Sequence, residues 1–188
     1  VNLNRTGFFY LWVVIISGLL LVAYYFTVLI PPTLESSFFL AAIVFTVLAF
    51  IGELYEVELG ARHITSTSAA IYCAVLFLSG VELAIPVAIL ATGFAETLLR
   101  WEFLKRGFWP FFLRIAFNLS QILISIGVGG IFFYISGGHA PISQDFSQVL
   151  PAICGFLGYV ATNTLLVCGI VSLASGRSFL SLLQLKIK

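Results

Sequence analysis

The sequence predicts an all-α integral membrane protein, a bundle of six transmembrane helices with both termini in the cytoplasm. Three observations predict it. Hydrophobic residues fill 61% of the 188 positions and charged residues only 9%, where a soluble domain carries about 25% charged residues. The apolar residues stand in long, non-alternating runs, which in lipid means helices rather than barrel strands. All nine Lys and Arg residues fall on one side of the bundle once every run is taken as a span.

The runs define a single membrane domain over residues 1–188. They cover residues 8–30, 38–54, 66–78, 81–103, 111–135 and 149–174, and 175–188 form a cytoplasmic tail. Pro31-Pro32 stop the first run and Ser175-Gly176 the last. Most runs approach the roughly 20 apolar residues of a span. The third is short enough to be re-entrant, and charge decides its role. With six spans, Arg5, Arg62, Arg100, Lys105, Arg106, Arg114, Arg177, Lys186 and Lys188 all lie inside. Glu35, Glu82, His139 and Asp145 lie outside. Without the third span, Arg100, Lys105 and Arg106 move outside, against the positive-inside rule. The location expected is the cell inner membrane.

The loops have distinct characters. Ser79-Gly80 reads as a tight outer turn, and Trp101 to Pro110 as a basic, aromatic inner loop whose Trp101 and Trp109 are interface anchors. Small residues mark helix contacts by their spacing of about four: Ala70 and Ala74, Ala84 and Ala88, Ala91 and Ala95. Gly127, Gly129 and Gly130, with Gly155 and Gly158, extend the pattern, so a tight core of helices three to six is expected. Cys73, Cys154 and Cys168 all stand in apolar runs and read as small buried residues. Cys154 and Cys168 are roughly 21 Å apart along one helix and cannot bridge. The chain contains no Met, so a fragment or a processed product is expected. Its first run is too long and too aromatic for a signal-peptide core.

Polar residues inside the spans are the candidate site. Arg114, Asn118, Gln121 and Ser125 recur at spacings of four, three and four, which puts them on one face of the fifth helix. Thr92, Glu96 and Arg100 share a face of the fourth. Asn163 lies in the sixth, with Tyr159 one turn away. Glu96 and Asn118 come out roughly 10 Å from the inner edge, and Gln121 and Asn163 roughly 15 Å. Two layers follow: Glu96 with Arg114 and Asn118, then Gln121 with Asn163. An ionised side chain near the bilayer centre costs about 2.5–3.5 kcal/mol on insertion scales, so Glu96 is expected to face the interior, paired or protonated, with Arg114 as the expected partner. These layers are either a ligand site or switch, or interhelical glue. The inner loop adds Glu53, Glu56, Arg62 and His63, in an extended interfacial segment or a solvated loop.

Enzymatic signals are lacking. The sequence has no Gly-rich phosphate loop, no nucleophile beside a His and no metal-ligand cluster. No catalytic residue, metal or cofactor is expected. Net charge is +1, and no nucleic-acid partner is expected.

The stretch Glu53-Leu54-Tyr55-Glu56-Val57-Glu58-Leu59 with the Ser/Thr run into Ala69-Ala70, the stretch Arg114 to Gln121, Asn163-Thr164-Leu165, and Ser175 to Phe179 together resemble a family. It is a set of bacterial multi-helix membrane sensor domains found N-terminal to HD-GYP phosphodiesterases or diguanylate cyclases (GGDEF). The likeness covers roughly residues 40–179. It implies a non-catalytic sensory input module for cyclic-dinucleotide signalling, with a cytoplasmic output domain after Lys188. Partners implied with it are the lipid bilayer, a small apolar or amphipathic ligand, and a second copy in a homodimer. The pattern resembles more distantly the substrate-binding S-components of energy-coupling-factor vitamin transporters. Those dock through small residues at four-residue spacing on the first helix, where this chain has only Ser17 and Gly18. A structural subunit of a membrane complex is the third reading.

Overall fold

A computed structural model describes residues 3–29, 36–58, 64–105, 107–142 and 146–187. Helix α1 spans Arg5–Tyr24 and runs on as one π turn, Tyr25–Leu29. The Asn4 side chain caps it by accepting from the Gly7 amide at 2.7 Å. Helix α2 is Ser36–Leu54. Strands β1 (Glu56–Glu58) and β2 (Ile64–Ser66) then pair antiparallel, Glu56 opposite Ser66. The extended reading of this inner segment thus takes the form of a short hairpin.

Helix α3, Ser68–Ser79, turns at Gly80 into α4, Val81–Leu99. Gly80 has φ +77°, which a residue with a Cβ rarely adopts. The expected fourth helix over residues 81–103 is not continuous. It ends at Arg100, whose backbone leaves the helical region, and α5 covers Trp101–Leu104 separately. Helix α6, Phe108–Ile135, starts three residues earlier than expected. Pro110 does not stop it, because the first-turn amides have no intrahelical acceptor to lose. Helix α7 is Val149–Ser175, preceded by a 3₁₀ turn at Phe146–Gln148 and capped by left-handed Gly176. The tail forms α8, Phe179–Ile187.

The bundle is helical apart from that one hairpin among the described residues. Four segments are long and apolar enough to cross a membrane: Arg5–Val28, Val81–Leu99, Phe108–Ile135 and Phe146–Ser175. Phe38–Leu54 and Ser68–Ser79 are shorter apolar helices. At 12 residues, α3 is roughly 18 Å long, against a hydrocarbon core of about 30 Å.

Helix α6 is the hub, packing on α7, α1 and α4, while α2 packs on α4 and α3. Neighbours run in alternate directions. The Tyr25 hydroxyl at the end of α1 donates to the Glu82 carbonyl at the start of α4, 2.8 Å away. The amide of Ile142, beyond α6, donates to the Phe77 carbonyl near the end of α3 at 2.9 Å. At the opposite end, Phe8, Arg100, Trp109 and Ala174 surround one cavity. The starts of α1 and α6 and the ends of α4 and α7 therefore meet there.

Small residues set the spacing. Ala84, Ala88, Ala91 and Ala95 are all fully buried on one face of α4. Gly129 and Gly155 let α6 and α7 touch: a Cβ on Gly155 would lie 3.1 Å from the Gly129 carbonyl oxygen. Gly18 does the same for α1, where a Cβ would come 2.7 Å from the Ser120 Cα. The expected contact through Ala70 differs, because Ala70 is exposed and only Ala74 is half-buried. Cys73 and Cys168 are buried, Cys154 is half-buried, and all three are free thiols.

Candidate functional site

The polar residues of the spans sort into two clusters. The first lies between α2, α3 and α4. Glu53, in the last turn of α2, accepts from the Tyr72 hydroxyl at 3.0 Å. The Tyr72 and Thr92 hydroxyls share a hydrogen bond of 2.8 Å, and Thr92 also donates to Glu53 at 3.4 Å. Tyr72 and Thr92 are fully buried, so three polar groups close a ring on one another inside apolar packing. Burying them without partners would cost about 1–3 kcal/mol per group.

The second cluster follows α6. Gln121 donates through Nε2 to the Asn163 Oδ1 on α7, so the expected deeper layer is present. Gln121 is only 7% exposed, and its Oε1 is buried without a hydrogen-bond partner. Arg114, Asn118 and Gln121, one face of α6, line a cavity of about 540 Å³. Leu11 of α1 and Val167 and Ile170 of α7 supply its apolar wall. The frame is held by the Tyr10 hydroxyl, which donates to the Leu166 carbonyl at 3.0 Å, and by the Gly18–Ser120 crossing.

The expected Glu96–Arg114 pair is not what forms. Glu96, 8% exposed, pairs with Arg100 one turn on in the same helix. Arg114 instead places its guanidinium over the Phe103 ring, 4.1 Å from the centroid. The local i,i+4 geometry wins because it needs no interhelical approach. Arg100 is mostly covered and lines the cavity. Asn118 lies on the cavity wall, not beside Glu96 as a hydrogen-bond partner.

Other candidates are placed as follows. Asn163 holds Gln121 from behind the cavity wall. Tyr159 is buried in the core with Tyr72, Cys73 and Val75, packed against Gly129, and does not line the cavity. Glu53 is not in an extended loop but in α2, within the first cluster. Glu56 lies in β1. Arg62 and His63 lie outside the described residues. His139 donates its amide to the Gln148 side chain at 3.2 Å, and Asp145 lies outside the described residues. Among the described residues no group of three His, Cys, Asp or Glu could hold a metal ion.

Tyr72 was not legible as a site residue. It stands 19 positions from Glu53, and nothing short of the α2–α3 packing joins them. The Glu96–Arg100 pair was legible, since opposite charges at i,i+4 on a helix are a local signal.

Comparison with protein families, curated proteins and solved structures gives no match.

Proposed function

We propose that this chain is a membrane-embedded, small-ligand-binding input module of a bacterial signalling protein, without catalysis of its own. It crosses the inner membrane six times with both termini in the cytoplasm. The observation that carries the reading is the cavity between α1, α6 and α7. Three of the polar residues singled out by their helical spacing meet on its wall, and its size lies within the about 300–1,000 Å³ typical of small-molecule sites.

The topology has its own support. Arg5, Arg100 and Arg114 sit at the bundle end that carries the cavity, and that end becomes the cytoplasmic side under the positive-inside rule. Trp101 and Trp109 are more than half exposed there, as interfacial anchors would be. The α3 helix is short, but counting it as a span is what keeps Arg100 on the same side as Arg5.

Two measurements test this. A cysteine placed at Ser79 should react with an impermeant reagent from outside intact cells and one at Lys105 should not; a reactive Lys105 position sinks the six-span topology. In the complete protein, Asn118→Leu with Gln121→Leu should abolish the output response while leaving the bundle folded. Unchanged output would reduce the polar face to helix glue. A reading frame that closes soon after Lys188, with an ATPase pair copurifying, would instead favour the transporter S-component.

A further inference from the structure

We propose that the inner mouth of the α1–α6–α7 cavity binds the phosphate of an anionic phospholipid of the cytoplasmic leaflet, with one of its acyl chains lying in the cavity. The proposal rests on the six-span topology and on the binding role given to this cavity above, and names the chemistry it takes.

The charges at this end sort by helix. Arg100 is matched by Glu96 and Lys105 by Glu102. Arg5, Arg114 and Arg177 have no carboxylate partner among the described residues. Arg5 opens α1, Arg114 lies in the second turn of α6, and Arg177 follows the end of α7. These are the helices that frame the cavity, and each brings one unmatched arginine.

Packing draws the three to one mouth. A Cβ on Gly7 would lie 3.4 Å from the Leu173 Cβ, so the first turn of α1 rests on the last turn of α7. Leu3, Arg114 and Ala174 line the same cavity. Arg5 follows Leu3, and Arg177 follows Ala174, within one helical turn of chain. Guanidinium groups gathered in this way repel one another, and a phosphate relieves that by accepting from more than one fork of N–H donors. A zwitterionic headgroup brings its own ammonium, which the same charges disfavour.

The wall asks for a chain behind the phosphate. Deeper in, two of its three sides are apolar, through Leu11 on α1 and Val167 and Ile170 on α7. Inorganic phosphate has nothing to set against them. The rim residues Phe8, Trp109 and Val171 are 44%, 53% and 40% exposed, so in the proposed topology the cavity opens sideways to the inner leaflet. A two-chain lipid can keep one chain in the leaflet and lay the other inside. The rival account is general attraction of any basic inner face to anionic lipid, which acts equally around the bundle.

The test uses the whole chain in phosphatidylcholine nanodiscs with a minor fraction of phosphatidylglycerol, either lipid brominated on its chains so that it quenches nearby Trp fluorescence. Trp12→Phe with Trp101→Phe leaves Trp109, on the cavity wall. Trp12→Phe with Trp109→Phe leaves Trp101, about equally exposed but not on that wall. The preference for phosphatidylglycerol over phosphatidylcholine should be about tenfold or more greater at Trp109 than at Trp101. Arg5→Gln, Arg114→Gln and Arg177→Gln should each lower it at Trp109 about fivefold, the share of one interfacial arginine. Lys105→Gln removes the same charge from a matched pair and should leave it unchanged. Millimolar inorganic phosphate should not displace the lipid. The comparison of the two Trp positions needs no change at the arginines, so poor folding of an arginine variant leaves the test decisive. Equal preference at Trp101 and Trp109, or an equal loss with Lys105→Gln, overturns the proposal and leaves general surface attraction. Displacement by inorganic phosphate overturns the lipid and leaves a free-anion site. Equal preference with output still dependent on Asn118 and Gln121 overturns the ligand class but not the sensing function. The expected preference with output indifferent to Asn118 and Gln121 upholds the ligand class and removes the sensing function.

Discussion

The two polar clusters of this bundle hold similar groups and end in opposite states. Between α2, α3 and α4, Glu53, Tyr72 and Thr92 bond to one another within apolar packing. Along α6, Gln121 has one satisfied atom and one unsatisfied atom beside a cavity. A closed ring gains nothing from a ligand, because every partner is already present. A buried acceptor left alone costs about 1–3 kcal/mol, and the Gln121 Oε1 carries that cost. The first cluster therefore acts on stability, and the second is the one we propose for binding, although both consist of polar side chains within the helices.

The largest effect that tests this contrast lies in the closed cluster. Tyr72→Ala removes a fully buried aromatic and should cost about 3–5 kcal/mol of bundle stability. Tyr72→Phe keeps the volume and removes two of the ring's three hydrogen bonds, leaving Thr92 and Glu53 their longer bond to each other, for about 1–3 kcal/mol. Thermal unfolding in detergent reads both. If Tyr72→Phe changed ligand response and left stability intact, the clusters would have exchanged roles.

Next comes the contact that holds the open cluster together. A side chain at Gly155 would meet Phe77 Cε1 at 2.9 Å as well as the Gly129 carbonyl. Gly155→Val should push α7 off α6 and cost about 1–3 kcal/mol as overpacking. It should also weaken the Gln121–Asn163 bond, visible as lost ligand response. A stable variant with normal response would show that α6 and α7 do not need this close approach.

Much of the architecture was legible in the residues. Apolar run length located all six main helices, because run length is a local property. Spacing of four, three and four along α6 placed Arg114, Asn118 and Gln121 on one face, and Gln121 does meet Asn163. The spacing carried no sign of the cavity, which depends on how α1 leans on α6 and α7 through Gly18 and Tyr10. Nor did it reveal that Glu53 turns inward to Tyr72, since the apparent alternation after Tyr55 suggested a solvated segment. The break at Arg100 was hidden because an apolar, aromatic stretch continues through Trp101 and Phe103 after the helix has ended.

A smaller effect separates glue from site within the open cluster. Gln121→Leu with Asn163→Leu removes one interhelical hydrogen bond and also removes the unpaired acceptor. The hydrogen bond contributes about 0.6–2 kcal/mol, and the removed desolvation penalty offsets part of it. The net change in thermal stability should stay within about 1 kcal/mol, while the response expected under the proposed sensing function is lost. A loss of stability as large as that for Tyr72→Ala would make this pair structural after all.

The smallest effect concerns the ion pair at the cavity's edge. Glu96 and Arg100 lie one turn apart on α4, with the Arg100 side chain 29% exposed. Helical pairs of this kind contribute about 0.3–0.5 kcal/mol. Partial burial of Glu96, and the i,i+4 order with Glu nearer the N-terminus, place this pair at the upper end of that range. A double-mutant cycle with Glu96→Gln and Arg100→Gln should therefore give a coupling of about 0.5 kcal/mol in detergent. The cycle of Glu96→Gln with Arg114→Gln should be additive within about 0.3–0.5 kcal/mol, because Arg114 rests on Phe103. If the second coupling exceeded the first, Glu96 would be the internal partner of Arg114. The uncompensated cation on the cavity wall would then be Arg100 rather than Arg114.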